Sequence, residues 1–355
     1  MEFCLDLSHQ AWAKSVSHSE IVAATLEEIR AADEAGLDSV WISEDPDGWD
    51  AFAVLGAAAR MTTRIRLGTG VTNPYLRHPN LMAMSVATLD RLSNGRAFLG
   101  LGRGQPEWYS RALNMTIGSP LQALTDTVDL LHQWWEPPFV ATGGRQIRVD
   151  RWAHAFGPEG SPPIYLAAVG PKALELAARR FDGILMTEFA SESFLERVIA
   201  EARARRKDAG LSDTPFPIFL RTAIHVTDDP EPALEQRKNM IALVNSLPGM
   251  ARQIDVPGFD VPEMMAQVRA VMHTDEQLAR GGAFIDMRKV ADFAAARRLI
   301  PTELVDAVSY VGSPEKIRSK LARLAALGVS HVFVSPPGPF DAVSLAELTA
   351  SVRPE

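Results

Sequence analysis

Ile65-Arg66-Leu67-Gly68-Thr69-Gly70-Val71-Thr72-Asn73-Pro74-Tyr75-Leu76-Arg77-His78-Pro79 decides how this chain reads. Ile65 to Val71 is a short apolar run of the kind that forms a strand covered on both faces. Gly68 and Gly70 mark backbone that bends or is approached closely. Thr72 to Pro79 then ends the strand in polar residues with a permissive backbone. In a closed parallel barrel such strand ends gather the chemistry.

Working outward, the same unit recurs. Phe3 to Leu7 reads as a strand, Ser19 to Ala35 as a helix closed by Gly36, Ser39 to Ser43 as a strand, and Asp50 to Arg60 as a helix. Beyond the quoted stretch, Leu81 to Leu92 reads as a helix and Ala97 to Leu101 as a strand. Four more strands follow at Ile164 to Val169, Gly183 to Thr187, Ile218 to Val226 and His331 to Ser335. Alternation with helices requires parallel pairing through right-handed crossovers. A doubly wound open sheet meets the same alternation, but eight units with strands near both ends favour closure. The expectation is a single-domain α/β protein over residues 1–355, a (β/α)8 TIM barrel with helical and loop insertions.

Two stretches break the rhythm, residues 136–163 and 246–301. The first carries the short run Ile147-Arg148-Val149. The second predicts helices around Pro262 to Met272 and Met287 to Leu299. Excursions of this length are often lids or oligomer contacts, or else helical hairpins that only pack.

The bulk properties exclude several classes. A net charge of −8 over 355 residues argues against a general footprint for nucleic acid or an acidic membrane. Cys4 is the only cysteine, which removes disulfide frameworks and CxxC redox pairs. The eight histidines show no HExxH or paired ligand spacing, so no metal site is expected. The N-terminal residues lack a signal-peptide pattern and no apolar run reaches membrane-span length, which predicts a cytoplasmic protein.

The strand ends supply the candidate site. Asp6 lies inside an apolar run, where a carboxylate needs a partner or an elevated pKa; it is either a proton donor or one half of a structural pair with a neighbouring strand's Arg or amide. Glu44 and Asp45 are adjacent and point apart, so one can face the pocket while the other caps the next helix. Trp49 is a ligand wall or ordinary packing. Gly170-Pro171-Lys172 opens a helix whose first amides and lysine would suit a phosphate, against a plain helix start. Gly102-Arg103-Gly104 has neither dinucleotide nor Walker spacing.

Gly70 to Pro79, Leu89-Asp90-Arg91-Leu92-Ser93-Asn94-Gly95-Arg96 and Leu99-Gly100-Leu101-Gly102-Arg103-Gly104 together closely resemble the luciferase-like monooxygenase superfamily. The likeness extends to Ala167-Ala168-Val169-Gly170-Pro171, Phe181-Asp182-Gly183 and Val311-Gly312-Ser313-Pro314-Glu315, and so spans nearly the whole chain. Within the superfamily the chain is most similar to the coenzyme F420-dependent branch that includes methylenetetrahydromethanopterin reductase. The resemblance implies a barrel whose C-terminal mouth holds a deazaflavin ring, backed by a non-proline cis peptide at Gly70-Val71. It implies cofactor contacts from Gly70, Val71, Thr72, Asn73, Gly104 and Gln105, with Val169, Gly170, Pro171 and Lys172 at the phosphate. It also implies a homodimer.

Asp6 matches an acidic first-strand residue of the reductases, and Trp49 a tryptophan near the cofactor in the sugar-phosphate dehydrogenases. Two positions depart from the family. Glu44-Asp45 stands where those dehydrogenases have Asp-His, and Gln105 where members have an acid, so neither known reaction transfers to this chain. The implied chemistry is hydride transfer between the deazaflavin C5 and a small organic substrate, with proton transfer by Asp45 first, then Asp6 or Glu44. An FMN-dependent luciferase-like monooxygenase is the alternative. From other classes, a glycoside hydrolase could pair Asp45 with Asp6 or Glu188, and a non-catalytic ligand-binding barrel would bind without turnover.

Overall fold

A computed structural model of the chain describes residues 1–7, 17–44, 48–281, 284–335 and 340–354. Eight strands build the barrel: β1 Glu2–Asp6, β2 Ser39–Ile42, β3 Arg66–Thr69, β4 Ala97–Leu101, β5 Ile164–Ala167, β6 Gly183–Met186, β7 Ile218–Val226 and β8 His331–Val334. Each pairs in parallel with the next in chain order, and β8 closes on β1 through Glu2↔His331 to Leu5↔Val334. The predicted strands match in number and place. Several stop one or two residues earlier at the C-terminal end, as β3 does at Thr69 where it was read to Val71. No described helix is long and apolar enough to cross a membrane.

The strand period of two determines what faces inward. Cys4, Trp41, Phe98, Tyr165, Leu185, Phe219 and Phe333 form one buried cluster inside the barrel. The Trp41 and Phe98 ring centroids lie 4.4 Å apart, and Trp41 and Phe219 lie 4.8 Å apart. Gly68 has no side chain because the Phe98 ring occupies the place its Cβ would take. This aromatic layer is the floor of the mouth. Two residues further along the same strands come Asp6, Ser43, Gly70, Ala167, Thr187, Arg221 and Ser335, the next inward tier.

Local polar contacts hold the frame. The helix Ala51–Met61 is capped by Asp50, whose carboxylate accepts from the Ala53 amide at 3.1 Å. The capping role considered for Glu44 or Asp45 therefore belongs to Asp50. Asp33, at the end of the helix His18–Glu34, accepts from the amides of Thr63, Arg64 and Ile65 at 2.9, 2.8 and 2.7 Å and so sets where β3 begins. Burial alone would raise its carboxyl pKa, but the three amides outweigh burial and hold it below the usual range. Stability from this depressed pKa is present above the unfolded value and lost as the pH falls through the folded one. Asp33→Asn is expected to cost about 1–3 kcal/mol at neutral pH and to flatten the acid limb of stability, measured by urea unfolding between neutral pH and the carboxylate range. A variant as stable as the parent throughout would refute this role.

The first excursion is a hairpin of Val140–Gly143 and Val149–Ala153. The second contains the helices Val261–Val271, Thr274–Arg280, Phe284–Val290 and Phe293–Leu299. The helix expected over Met287 to Leu299 is thus two helices. The break comes at Asp292, which caps the latter by accepting from the Ala295 amide at 2.9 Å. With the flanking helices Glu231–Asn245 and Thr302–Ala307, this region packs a core of its own, in which Tyr109 and Phe189 of the barrel loops take part.

Candidate functional site

The mouth is organised by the segment that leaves β3. The Gly70-Val71 peptide is cis. Backbone bonds fix the segment on both sides, from Gly70 N to Ile42 O at 2.7 Å, Thr72 N to Gly100 O at 3.0 Å and Gly102 N to Thr72 O at 2.9 Å. The Gly70 carbonyl accepts from the Ser43 hydroxyl at 2.7 Å and from Nη2 of Arg221. A Cβ at Gly70 would lie 2.8 Å from Trp41 Cβ, and one at Gly102 only 2.6 Å from Val71 Cγ2 and 3.6 Å from Ala167 Cβ. Val71, Gly102 and Ala167 therefore form one continuous wall across β3, β4 and β5.

Behind this wall the polar side chains serve the protein itself. Glu44 receives the Thr72 hydroxyl and a fork from Arg77, whose Nε lies 3.0 and 3.1 Å from the two carboxylate oxygens and whose Nη2 also bonds Oε1. Arg77 reaches Asp50 at 2.9 Å and lies over the Phe52 ring at 4.7 Å. Both members of the Arg77–Glu44 pair have side chains only 10% exposed. Asn73 is equally committed, its oxygen accepting from the Tyr75 and Leu76 amides at 3.1 Å each and its nitrogen donating to Tyr109 Oη at 3.4 Å. Thr72 and Asn73 are buried. Their side chains brace the β3 exit.

Gly104 adopts φ +60, and a Cβ there would lie 2.6 Å from Tyr109 Oη. Glycine is needed at that turn on both counts. Gln105 follows as the N-cap of the short helix Pro106–Ala112, with no side-chain cap bond.

Asp6 ends β1 with its carboxylate 3.5 Å from Arg221 Nη2. The structural partner considered for Asp6 is thus an arginine, supplied by β7 and not by an adjacent strand. Trp49 is half-buried just before the helix Ala51–Met61. Asp45 lies outside the described residues. Glu188 pairs with Arg237 of the helix Glu231–Asn245, and Arg237 also donates to the Ala223 carbonyl. Gln253, fully buried, donates to the Glu188 carbonyl at 2.8 Å and receives the Thr187 hydroxyl. The helical excursion is thereby tied to the ends of β6 and β7.

Beside the wall, Gly170 is the N-cap of the helix Pro171–Arg180 and offers no side-chain cap bond. Leu174 N closes onto Gly170 O at 2.9 Å, and a Cβ on Gly170 would meet nothing within 4 Å among the described residues. The Lys172 and Ala173 amides precede the first helical bond, Pro171 has no amide to orphan, and Lys172 is exposed. Val169 is half-buried at the entry to this turn.

Arg77, Arg221 and Gln253 are among the participants in these contacts to which the sequence analysis assigns no role. Arg77 stands inside the motif itself, and Arg221 is a charged residue in the middle of the apolar run Ile218 to Val226, the same signal that marked Asp6. That signal was available. Gln253 carried none, since a glutamine in a helical excursion looks like any solvated residue until the fold buries it.

Residues 1–331 match the family model of luciferase-like monooxygenases. A Mycobacterium tuberculosis protein named for coenzyme F420-dependent oxidoreductase activity is 31% identical over 94% of this chain and 95% of its own length. The 5,10-methylenetetrahydromethanopterin reductase of Methanopyrus kandleri is 28% identical over 88% of each chain. Among solved structures, an F420-dependent secondary alcohol dehydrogenase in complex with an F420-acetone adduct superposes with a TM-score of 0.74, at 18% identity, covering 99% of both chains. This chain belongs to the luciferase-like monooxygenase family.

Proposed function

We propose that the chain is a coenzyme F420-dependent oxidoreductase acting on a small organic substrate. One observation carries this reading: a side-chain-poor wall across β3, β4 and β5 borders an uncapped helix N-terminus at Gly170-Pro171-Lys172. Such a wall suits a planar ring, and the free amides suit its anionic tail. Relatives over most of the chain, an oxidoreductase and a glucose-6-phosphate dehydrogenase, are named for F420. The residues present therefore fit the group.

Val71 and Gly102 would back the ring, Gly104 and Gln105 would flank it, and Val169, Gly170, Pro171 and Lys172 would hold the phosphate. When bound, the deazaflavin supplies hydride exchange at its C5. The chain's part is orientation and proton transfer. Asp6, on the inward tier of the mouth, takes the proton that a substrate loses when its carbon gives up hydride, and returns it in the reverse direction. Glu44 is proposed as a scaffold carboxylate, since Arg77 and Thr72 occupy it. Asp45 and Trp49 stay as proposed substrate-side groups, and two copies of the chain as the proposed assembly in the cytoplasm.

Parallel titration of the purified protein with F420 and with FMN tests the reading. Saturable quenching of deazaflavin fluorescence at one ring per chain, with no uptake of FMN, is the expected result. Binding of FMN alone, with oxygen consumption once that flavin is reduced, would move the chain to the monooxygenase chemistry. Lys172→Ala is expected to weaken F420 binding about two- to fivefold, and less at high salt. An unchanged affinity at low salt would remove Lys172 from the phosphate seat.

A further inference from the structure

β7 carries an irregularity that the sequence does not announce. Opposite β8, Val332 pairs with Leu220 but Val334 pairs with Ile224, so β7 holds two extra residues between those partners. Thr222 repairs the gap with its side chain, donating to Phe333 O at 2.6 Å and accepting from Phe333 N at 3.1 Å. Ala223 sits at φ +42, the left-handed region an alanine seldom adopts. Its carbonyl is held by Arg237. The bulge is braced at both ends, and bulges gather beside active sites.

Arg221 opens this bulge, facing inward as the period of two from Phe219 requires. Its Nη2 alone meets both the Gly70 carbonyl, just past the end of β3, and the Asp6 carboxylate of β1, at 3.5 Å from the latter. Its Nε is buried without a hydrogen-bond partner among the described residues. The side chain is 18% exposed and lies over the Phe333 ring, 5.9 Å from the centroid. One cationic nitrogen thus joins strands β1, β3 and β7, none of which pairs directly with another. A guanidinium there satisfies the Gly70 carbonyl together with the Ser43 hydroxyl, and it keeps a carboxylate at a fixed place beside it.

We propose that Arg221 is the positioning residue of the mouth: from the β7 bulge it locks the Gly70 carbonyl and the Asp6 carboxylate into one unit, fixing the ring-backing wall relative to the proton-transferring group. This rests on the hydride-transfer reading for its catalytic consequence, but the lock itself exists in the protein alone. Acting through Gly70 and Asp6, Arg221 affects turnover without touching the reacting atoms. A misplacement of about 1 Å at such a site can cost on the order of a hundredfold in rate.

The experiment compares Arg221→Met and Arg221→Lys with the parent. Hydrogen exchange on the cofactor-free protein reads the amides of residues 66–73, and the same proteins then give F420 affinity and turnover at saturating F420. Met should lose about tenfold or more of the protection at residues 70–72. It should cut kcat by about a hundredfold with F420 affinity changed less than about threefold, while Lys, whose single ammonium can serve both acceptors, restores much of both. A merely structural role would lower the unfolding midpoint and leave kcat of the folded protein unchanged, and that result overturns the proposal. So does parental exchange in Arg221→Met, or a Lys variant as impaired as Met in both readouts. If the parent binds no F420, the functional reading fails while the exchange comparison still decides whether the lock exists.

Discussion

Arg77→Met is expected to destabilise the protein by about 3–5 kcal/mol, because it leaves the Glu44 carboxylate buried without its counter-ion. The pair is nearly enclosed, the arginine engages both carboxylate oxygens, and the same guanidinium reaches Asp50. Asp50 adds a pH signature. Burial would push its carboxyl up, yet the Ala53 amide and Arg77 outweigh burial and hold it below the usual range. Stability from that contact is present at neutral pH and lost as the pH falls through the depressed value, so the loss in Arg77→Met should shrink in acid. The double variant Arg77→Met with Glu44→Gln should recover part of the loss, since it no longer buries a charge. Urea unfolding of the parent, both single variants and the double variant measures the coupling. Additive losses would show that the two side chains do not act as a pair. Because Glu44 also holds Thr72, the single variants should loosen the β3 exit as well.

Asp6→Asn should lower turnover by about 10²–10⁴-fold while F420 affinity stays close to the parental value. The amide keeps the shape of the carboxylate and can still accept from Arg221, so the fold and the Gly70 contact are retained. What it cannot do is carry the proton. Steady-state kinetics at saturating F420, with affinity measured separately by fluorescence, make the comparison. Parental kcat in Asp6→Asn would transfer the role to Asp45, whose own Asn variant should then show the loss. Equal falls in kcat and affinity would instead mark Asp6 as a binding group.

The architecture was readable because it depends on local rules. Apolar runs such as Ser39 to Ser43 and Ala97 to Leu101 are covered on both faces, and the helices between them leave little choice of pairing. The Thr72 to Pro79 motif and Gly170-Pro171-Lys172 could also be placed at strand ends, since their residue types suit a turn and a helix start. Side-chain duties were less readable. Thr72 and Asn73 are expected at a ligand, and only the fold shows that their side chains also meet Glu44, Tyr109 and two backbone amides. Which acceptor a hydroxyl or amide meets depends on residues tens of positions away. The same holds for the break at Asp292, where helical periodicity continues across a cap that turns the chain.

The amino-acid sequence alone determined the eightfold β/α order, the glycines of the third and fourth strands, and the polar strand ends, because each follows from periodicity and backbone freedom within a few residues. Only the tertiary structure decided that Arg77 neutralises Glu44, that Gln253 and Arg237 tie the helical excursion to the barrel, and that Arg221 meets both Gly70 and Asp6. Those contacts require closure of the barrel and the packing of the helical excursion and its flanking helix against it. Neither the distance between side chains on separate strands nor a slip in register leaves a periodic trace in the chain.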